Sequence, residues 1–466
     1  MTDHRTPRKA LMLLREALAG GDKDFTAMGL RRAVVLLSIP MVMEMAMESL
    51  FALVDVFFVS RLGVEAVAVV GLTEGVMMLI YSIAWGLGAG ITAVVARRTG
   101  EKDREGADVA AVQGILIALA IGALFALPGL FYAQDVLRLM GAAPSVLELG
   151  TPFMRIMLGC NVVILLIFGM NAIFRGAGNA ALAMRSLWVG NIINMVLDPL
   201  LIFGLGPVPA MGVTGAALAT VIGRGCGVLY QCWHLFNGRS RVMIARRHMK
   251  VAWSALWNIM RVSAGATAQF LIASASWVFL VRIVAGFGND AVAGYTIAVR
   301  LIVFALLPAW GIANAASTLV GQNLGAKRPD RAERSAWLCG HYNMFYMVSM
   351  ALLFIACAPW AMGLFSQVPA VVLVGTQALR IVCLGYFFYA YGMVLSQAFN
   401  GAGDAMTPVW LNLVCFWLVE IPLAWYLSRW MNAPEGVFIA IAASESLLAI
   451  CCVLVFRQGR WKLMQV

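Results

Sequence analysis

The residues of this chain best able to do chemistry are three acids inside an apolar stretch. Residues 38–61, SIPMVMEMAMESLFALVDVFFVSR, are long enough to cross a bilayer yet carry Glu44, Glu48 and Asp55. At about 100° per residue, these positions fall at about 0°, 40° and 20° around a helix, over roughly 16 Å of its length. The spacing predicts one narrow acidic stripe. An ionised acid at the centre of a membrane helix costs about 2.5–3.5 kcal/mol, so the stripe is expected to face a protein interior or a wet cavity rather than lipid. Burial and like-charge repulsion both disfavour an ionised carboxyl, so such a stripe is suited to gaining and losing protons. The alternative is a polar helix–helix contact that does no chemistry.

A second constellation, Asn191, Asn194 and Asp198, falls within about 60° of arc on one helix, with Pro199 immediately after it. Proline lacks an N–H and its ring clashes with the carbonyl four residues back, so the Met195 carbonyl is expected to be released from helical pairing. An amide, a carboxylate and a free carbonyl make a proton or cation site. A proline kink with purely local polar satisfaction is the alternative. The four histidines are far apart in sequence, and the nine cysteines show neither CxxC nor Cys/His ligand spacing. With no metal cluster, nucleophile elbow or Ser/His pair, an enzyme is not expected, and no cofactor beyond a coupling ion is called for.

The elements that must position these residues are membrane spans. The chain has 466 residues, 62% hydrophobic and 12% charged, with a mean hydropathy of +0.86, which excludes a water-soluble globular protein. Twelve spans are expected, at about 33–60, 66–96, 108–132, 149–174, 183–205, 212–236, 257–287, 291–321, 337–364, 376–399, 408–430 and 437–456. The net charge of +11 sits mostly in one set of short loops and tails, including Arg97, Arg98, Arg175, Arg185, Arg239, Arg241, Lys327, Arg328 and Arg457. The positive-inside rule accounts for it, so no nucleic-acid partner is implied and both termini are expected to be cytoplasmic. Residues 8–19 alternate basic and apolar types, as in either a helix lying on the inner membrane surface or a disordered tail.

The chain also repeats itself. At an offset of 225, Trp85-Gly86 matches Trp310-Gly311, Gly100 matches Gly325, Arg155-Ile156 matches Arg380-Ile381, and Phe174-x-Gly-Ala-Gly178 matches Phe399-x-Gly-Ala-Gly403. Two homologous six-span halves follow, and because six is even they must be related by a pseudo-two-fold axis along the membrane normal. The expected layout is a tail (1–32), an N-terminal six-helix bundle (33–236), a basic linker (237–256), a C-terminal six-helix bundle (257–456) and a second tail (457–466).

GLGAGITAVVARRTGEKDREGA (86–107), its partner GIANAASTLVGQNLGAKRPDRA (311–332), and the pair FRGAGNA (174–180) and FNGAGDAMTP (399–408) resemble the hallmark segments of the multidrug and toxic compound extrusion (MATE) family. VDVFFVSRLG (54–63) and NMVLDPLLIFG (194–204) are similar to that family's first and fifth helices. The resemblance implies an acidic N-terminal site formed by Asp55, Asn194 and Asp198, with sodium as an alternative occupant to protons. In the second half Asp55 corresponds to Leu280, Glu48 to Ala273 and Glu44 to Gln269, while Glu420, Ile421 and Pro422 stand opposite Asp198-Pro199 after a two-residue slip. Coupling is therefore expected in the first bundle. The acids that some relatives carry on the seventh and tenth helices are replaced here by Gln269 and FFYAYG (387–392), which argues for the DinF-like branch. Arg300, Gln269 and Glu420 are expected as cavity residues or charge partners, with Glu445 a further acid of the second half.

The expected protein is thus an all-α polytopic protein of the bacterial inner membrane, monomeric in the lipid bilayer. Its expected function is to export organic, cationic small molecules in exchange for protons or sodium. The rival readings are a lipid-linked oligosaccharide flippase of related two-bundle plan and a non-transporting membrane scaffold.

Overall fold

A computed structural model describes residues 6–21, 23–204, 206–237 and 240–466. His4 and Arg239 lie outside the described residues, as do the other residues of 1–5 in the expected tail. A short helix α1 (Thr6–Ala19) precedes the first half, which comprises α2 (Leu30–Ser60), α3 (Val64–Glu101), α4 (Arg104–Leu139), α5 (Pro144–Gly159), α6 (Asn161–Gly176), α7 (Ala180–Phe203) and α8 (Val213–Phe236). The second half comprises α9 (Trp253–Ala285), α10 (Asn289–Gly325), α11 (Pro329–Gly363), α12 (Pro369–Leu384), α13 (Tyr386–Ala402), α14 (Met406–Asn412), α15 (Ile421–Met431) and α16 (Glu435–Arg457).

Joining α5 to α6, α12 to α13, and α14 to α15 gives twelve spans in two six-span bundles. Two joints obey the internal repeat: the first half breaks at Cys160 and the second at Gly385, 225 positions on, where the chain bends by 61°. The eleventh span differs from its counterpart. A π-helical turn, Leu413–Glu420, leads into Pro422, where the missing proline N–H already breaks the regular ladder. The fifth span, α7, instead runs unbroken through Pro199. Among the described residues, ten spans qualify by length and apolarity, and eleven with the bent pair α12–α13 taken as one; α2, the helix that carries the acids, is not among them.

The two halves approach most closely where glycines remove the side chain. A Cβ on Gly86 would lie 2.5 Å from the Thr267 backbone nitrogen, and one on Gly311 would lie 2.6 Å from the Met41 carbonyl oxygen. Gly90 against Ser263, Gly100 against Gln322 and Gly325 against Arg97 continue the seam. All these crossings lie on one side of Trp85 and Trp310, toward the end of the molecule where the basic loops gather. Toward the other end, Leu53, Phe57, Met78, Leu79, Val303 and Phe304 are exposed.

Both tails dock at the basic end. Helix α1 packs on α2 and α7, with Ala17 buried while Leu11 and Met12 stay exposed. Arg185 donates to the Leu18 and Ala19 carbonyls at 2.5 and 2.8 Å, and Arg328 and Arg331 of the second half donate to the carbonyls of Thr26 and Phe25. At the other terminus, Arg97 of the first half donates to the Met464 carbonyl. The linker is tied to the first bundle, where Asp108 accepts from the Met243 N–H at 2.8 Å and Gln113 donates to the Lys250 carbonyl at 2.9 Å.

Candidate functional site

The acidic stripe of α2 divides into paired and unpaired members. Glu44 is fully buried, and its Oε1 accepts from Asn171 Nδ2 and Arg175 Nη1, each at 3.0 Å. Asn171 and Arg175 lie four residues apart on α6 and so present one face. Asn171 Oδ1 accepts in turn from Ser186 Oγ at 3.0 Å and Gln231 Nε2 at 2.5 Å, which fixes the amide. One turn along α2, Glu48 accepts from Arg224 Nη2 at 2.9 Å and from Asn191 Nδ2 at 3.0 Å. Arg224 is 2% exposed, and its guanidinium carbon lies 5.4, 5.8 and 5.6 Å from the ring centres of Phe51, Tyr81 and Phe168. Cation–π attraction helps offset the cost of burying that charge.

Asp55 and Asp198 have no such arginine. Asp55 is half-buried and makes no hydrogen bond to the described residues; Asp198 is fully buried and neither of its carboxyl oxygens meets a donor. Asn194 donates to Thr220 Oγ1 at 3.2 Å, leaving its own Oδ1 without a partner. Asp198 lies close enough to feel the charge of Asp55, and Asp55 that of Glu74 and Arg224. Buried polar atoms are nearly always satisfied, so this cluster of oxygens stands out as a place for a proton or a hard cation. Asn191, expected beside Asn194 and Asp198, is turned to Glu48 instead.

The second bundle repeats the first with its charges removed. Gln269 and Asn400 occupy the positions that correspond to Glu44 and Arg175, and Asn400 Nδ2 donates to Gln269 Oε1 at 3.1 Å. An ion pair in one half is a neutral hydrogen bond in the other. Glu48 has Ala273 as its counterpart, and the stretch corresponding to Arg224, Leu447-Leu448-Ala449, carries no cation. Acids nevertheless remain: Glu420, 2% exposed at the end of the π-helical turn, lies by Ser276 and Ser444. Glu445 lines a small cavity with Trp277, Tyr386 and Tyr389. Arg300 is exposed on α10, and the acid that senses it is Glu74 of α3, on the other bundle.

Sequence reasoning missed Arg224 and Glu74, and it assigned Arg175 only to a basic loop. The structure instead buries Arg175 against Glu44. A lone arginine within the apolar run 213–236 was a readable signal, because a charge inside a span demands a partner. Arg175 carried no such signal, since it stands at a helix end where a loop cation is the ordinary reading.

Where the two halves meet, Trp85, Trp310 and Phe270 form an aromatic cluster. Their ring centres are 5.6 Å (Trp85–Phe270), 6.2 Å (Trp85–Trp310) and 5.2 Å (Phe270–Trp310) apart. Tyr81 stacks on Trp85 at 6.1 Å and meets Phe168 edge-on at 6.2 Å. An unbroken run of rings thus joins the junction of the halves to the Glu48–Arg224 pair.

Comparison with known proteins places this geometry. The MatE family model matches the chain twice, over residues 40–200 and 266–426. The probable multidrug resistance protein YoeA of Bacillus subtilis (strain 168) is 24% identical over 93% of this chain and 95% of its own length. A protein of Shewanella oneidensis described as an FAD transporter is 29% identical over 86% of this chain and 89% of its own. Among solved structures, one described as the outward-facing conformation of a multidrug resistance MATE family transporter of the MOP superfamily superposes with a TM-score of 0.87. It is 29% identical and covers 97% of both chains.

Proposed function

Because the chain belongs to the MatE family, whose members are transporters and not enzymes, we propose that it is a secondary antiporter exporting organic, cationic small molecules in exchange for protons. The reading rests above all on Asp55 and Asp198, neighbouring carboxyls that form no ion pair with an arginine while Glu44 and Glu48 each have one. In this mechanism the ion enters from outside and occupies Asp55, Asn194 and Asp198. Cargo and ion favour opposite-facing conformations, and alternation between those conformations exchanges them. Sodium is the other candidate ion, since carboxylate and amide oxygens offer it hard ligands. Glu44, Glu48 and Asn191 act as the frame that holds α2 against α6, α7 and α8. The basic end is cytoplasmic, the membrane is the bacterial inner membrane, and the transporter works as a monomer of the DinF-like branch.

The FAD-transporting relative supports a second reading, an anionic aromatic cargo. Purified protein in liposomes, loaded with a fluorescent organic cation or with FAD and given one ion gradient at a time, decides between them. Efflux of the cation driven by an inward pH gradient without sodium is the expected result. Asp55→Asn and Asp198→Asn should each abolish it at normal expression, whereas Glu420→Gln and Glu445→Gln should retain at least part of it. Efflux of FAD alone would replace the cation reading. Efflux of neither would move the function toward lipid-linked oligosaccharide flipping or a scaffold role.

A further inference from the structure

Helices α11 and α16 both pack on α13 and scarcely on each other. A groove of about 700 Å³ is left between them, with α13 as its floor. Two glycines shape it. A Cβ on Gly340 of α11 would lie 2.9 Å from Tyr391 Cδ1, so its absence lets that ring lie back against α11. A Cβ on Gly392 would lie 3.3 Å from Ala449 Cα, and its absence draws α13 and α16 together. Among the described residues, none of the first half, of α9 or of α10 lines the groove, so it opens away from the seam between the halves and onto the bilayer. Phe387, Ile450 and Leu454 are exposed along it.

The groove runs along the spans. Glu333 and Arg457 stand at its basic end, and the lining from Glu333 to His341 on α11 and from Arg457 to Ile450 on α16 covers about 12 and about 11 Å of helix. The hydrocarbon of one leaflet is about 15 Å deep, half the bilayer core. The groove therefore reaches from the level of the head groups most of the way to the midplane, where it ends at Phe387 and Phe388, just past the bend at Gly385. Water has no partners against such walls, and an empty recess would forfeit the dispersion contacts of every ring in them. An acyl chain is what can fill it. The first half has no such lining: at the offset of 225, Trp337, Tyr391, Phe387 and Phe388 correspond to Val112, Leu166, Val162 and Val163, and Gly340 to Ile115.

The rim decides the head group. Glu333 is already compensated: Lys462 Nζ lies 2.6 Å from its Oε2, and Trp337 Nε1 donates to its Oε1 at 3.4 Å. Arg457 is exposed, with its guanidinium carbon 5.7 Å from the Trp337 ring centre, and it meets no acid among the described residues. Arg334 and Arg460, both exposed, follow close by in the chain. A guanidinium at the membrane surface with no carboxylate of its own suits a phosphate with net negative charge. We propose that this groove binds one anionic phospholipid of the leaflet at the basic end, with an acyl chain against Trp337 and Tyr391 and the head group on Arg457. The site requires only that the chain span a membrane, and it stands apart from the antiport reading.

Native mass spectrometry of the purified full-length protein in detergent counts the lipids that stay bound. The probes are dioleoyl phosphatidylglycerol and dioleoyl phosphatidylcholine, which share their chains and differ in net charge. The first lipid bound is expected to be phosphatidylglycerol, favoured about fivefold over phosphatidylcholine. Arg457→Gln should erase that preference, while Arg61→Gln, an exposed arginine at the opposite membrane face, should leave it intact. Ile450→Trp, which fills the groove from its wall, should weaken the first binding of both lipids. Equal affinity for the two lipids in the wild type would overturn the site, as would a preference that survives Arg457→Gln or first binding unchanged in Ile450→Trp. A dimer that Ile450→Trp dissociates would put a second copy of the chain in the groove in place of lipid. The wild-type comparison and the exposed Arg457 decide the matter even if the filled variant does not fold.

Discussion

At the scale of the residue, the informative comparison is between the two copies of one geometry inside the same chain. Glu44–Arg175 and Gln269–Asn400 join corresponding positions with nearly equal donor–acceptor distances, 3.0 and 3.1 Å. Removing one member of a buried ion pair leaves the other charge uncompensated and costs about 3–5 kcal/mol, whereas replacing both by neutral partners is often neutral. Glu44→Gln alone is therefore expected to lower stability by about that amount. Glu44→Gln with Arg175→Asn, which transplants the second bundle's pair, should restore most of it; thermal unfolding of the two variants measures the difference. Asp55 and Asp198 differ from these groups because no described residue gives either of them a hydrogen bond or an ion pair, and that is why the proposed ion exchange is assigned to them.

Among the elements, the N-terminal segment does something its composition left open. Its amphipathic pattern suits a helix on a membrane surface, but α1 docks on α2 and α7, and the following turn takes arginines from both bundles. Two acids organise it. The Arg32 guanidinium hydrogen-bonded to Glu16 at 2.8 Å holds that carboxyl below the usual glutamate range. The Thr26 hydroxyl and N–H do the same for Asp24. A depressed folded-state value means that the stabilisation is present above the unfolded value and is lost as pH falls through the folded one. Hydrogen-exchange protection factors across residues 6–21 and 23–28 should therefore fall as pH drops from about 5 to about 3, through the ordinary carboxylate range and below it. The amides of α3 and α10 at the glycine crossings should stay protected over the same interval. Equal loss of protection in both regions would show that acid acts on the whole fold and not on this attachment.

For the molecule as a whole, the proposed antiport needs two states, and the glycine crossings hold the halves together on the basic side of Trp85 and Trp310 in this one. Energetics limits what a cycle between them can deliver. A single charge falling through about 100 mV supplies about 2.3 kcal/mol, whereas exchange of one proton for one monovalent cation moves no net charge and gains only about 1.4 kcal/mol per pH unit. In the proposed mechanism Asp55 and Asp198 together take up two protons. Cation efflux from liposomes is accordingly expected to speed up when an inside-negative potential is imposed with no pH gradient. Efflux indifferent to potential would mean one proton per cation, and a single coupling carboxyl.

Legibility divides along a physical line. Span count, duplication, the transporter family and the unusual acids of α2 were all readable from the sequence, because apolar length, an even repeat and charges inside a span are properties of a segment by itself. The replacement of Glu44 by Gln269 and of Glu48 by Ala273 was readable in the same way. What each acid pairs with was not. Glu44 meets a residue 131 positions away and Glu48 one 176 positions away, and helix periodicity says which face a residue occupies but not which helix lies against it. The stripe therefore read as three like acids, and packing alone gave two of them an arginine and left Asp55 with Asp198. The same holds for the tryptophan pair: the repeat matched Trp85 to Trp310, but only the crossing of α3 with α9 and of α10 with α2, permitted by glycines that remove a Cβ, brought the two rings together.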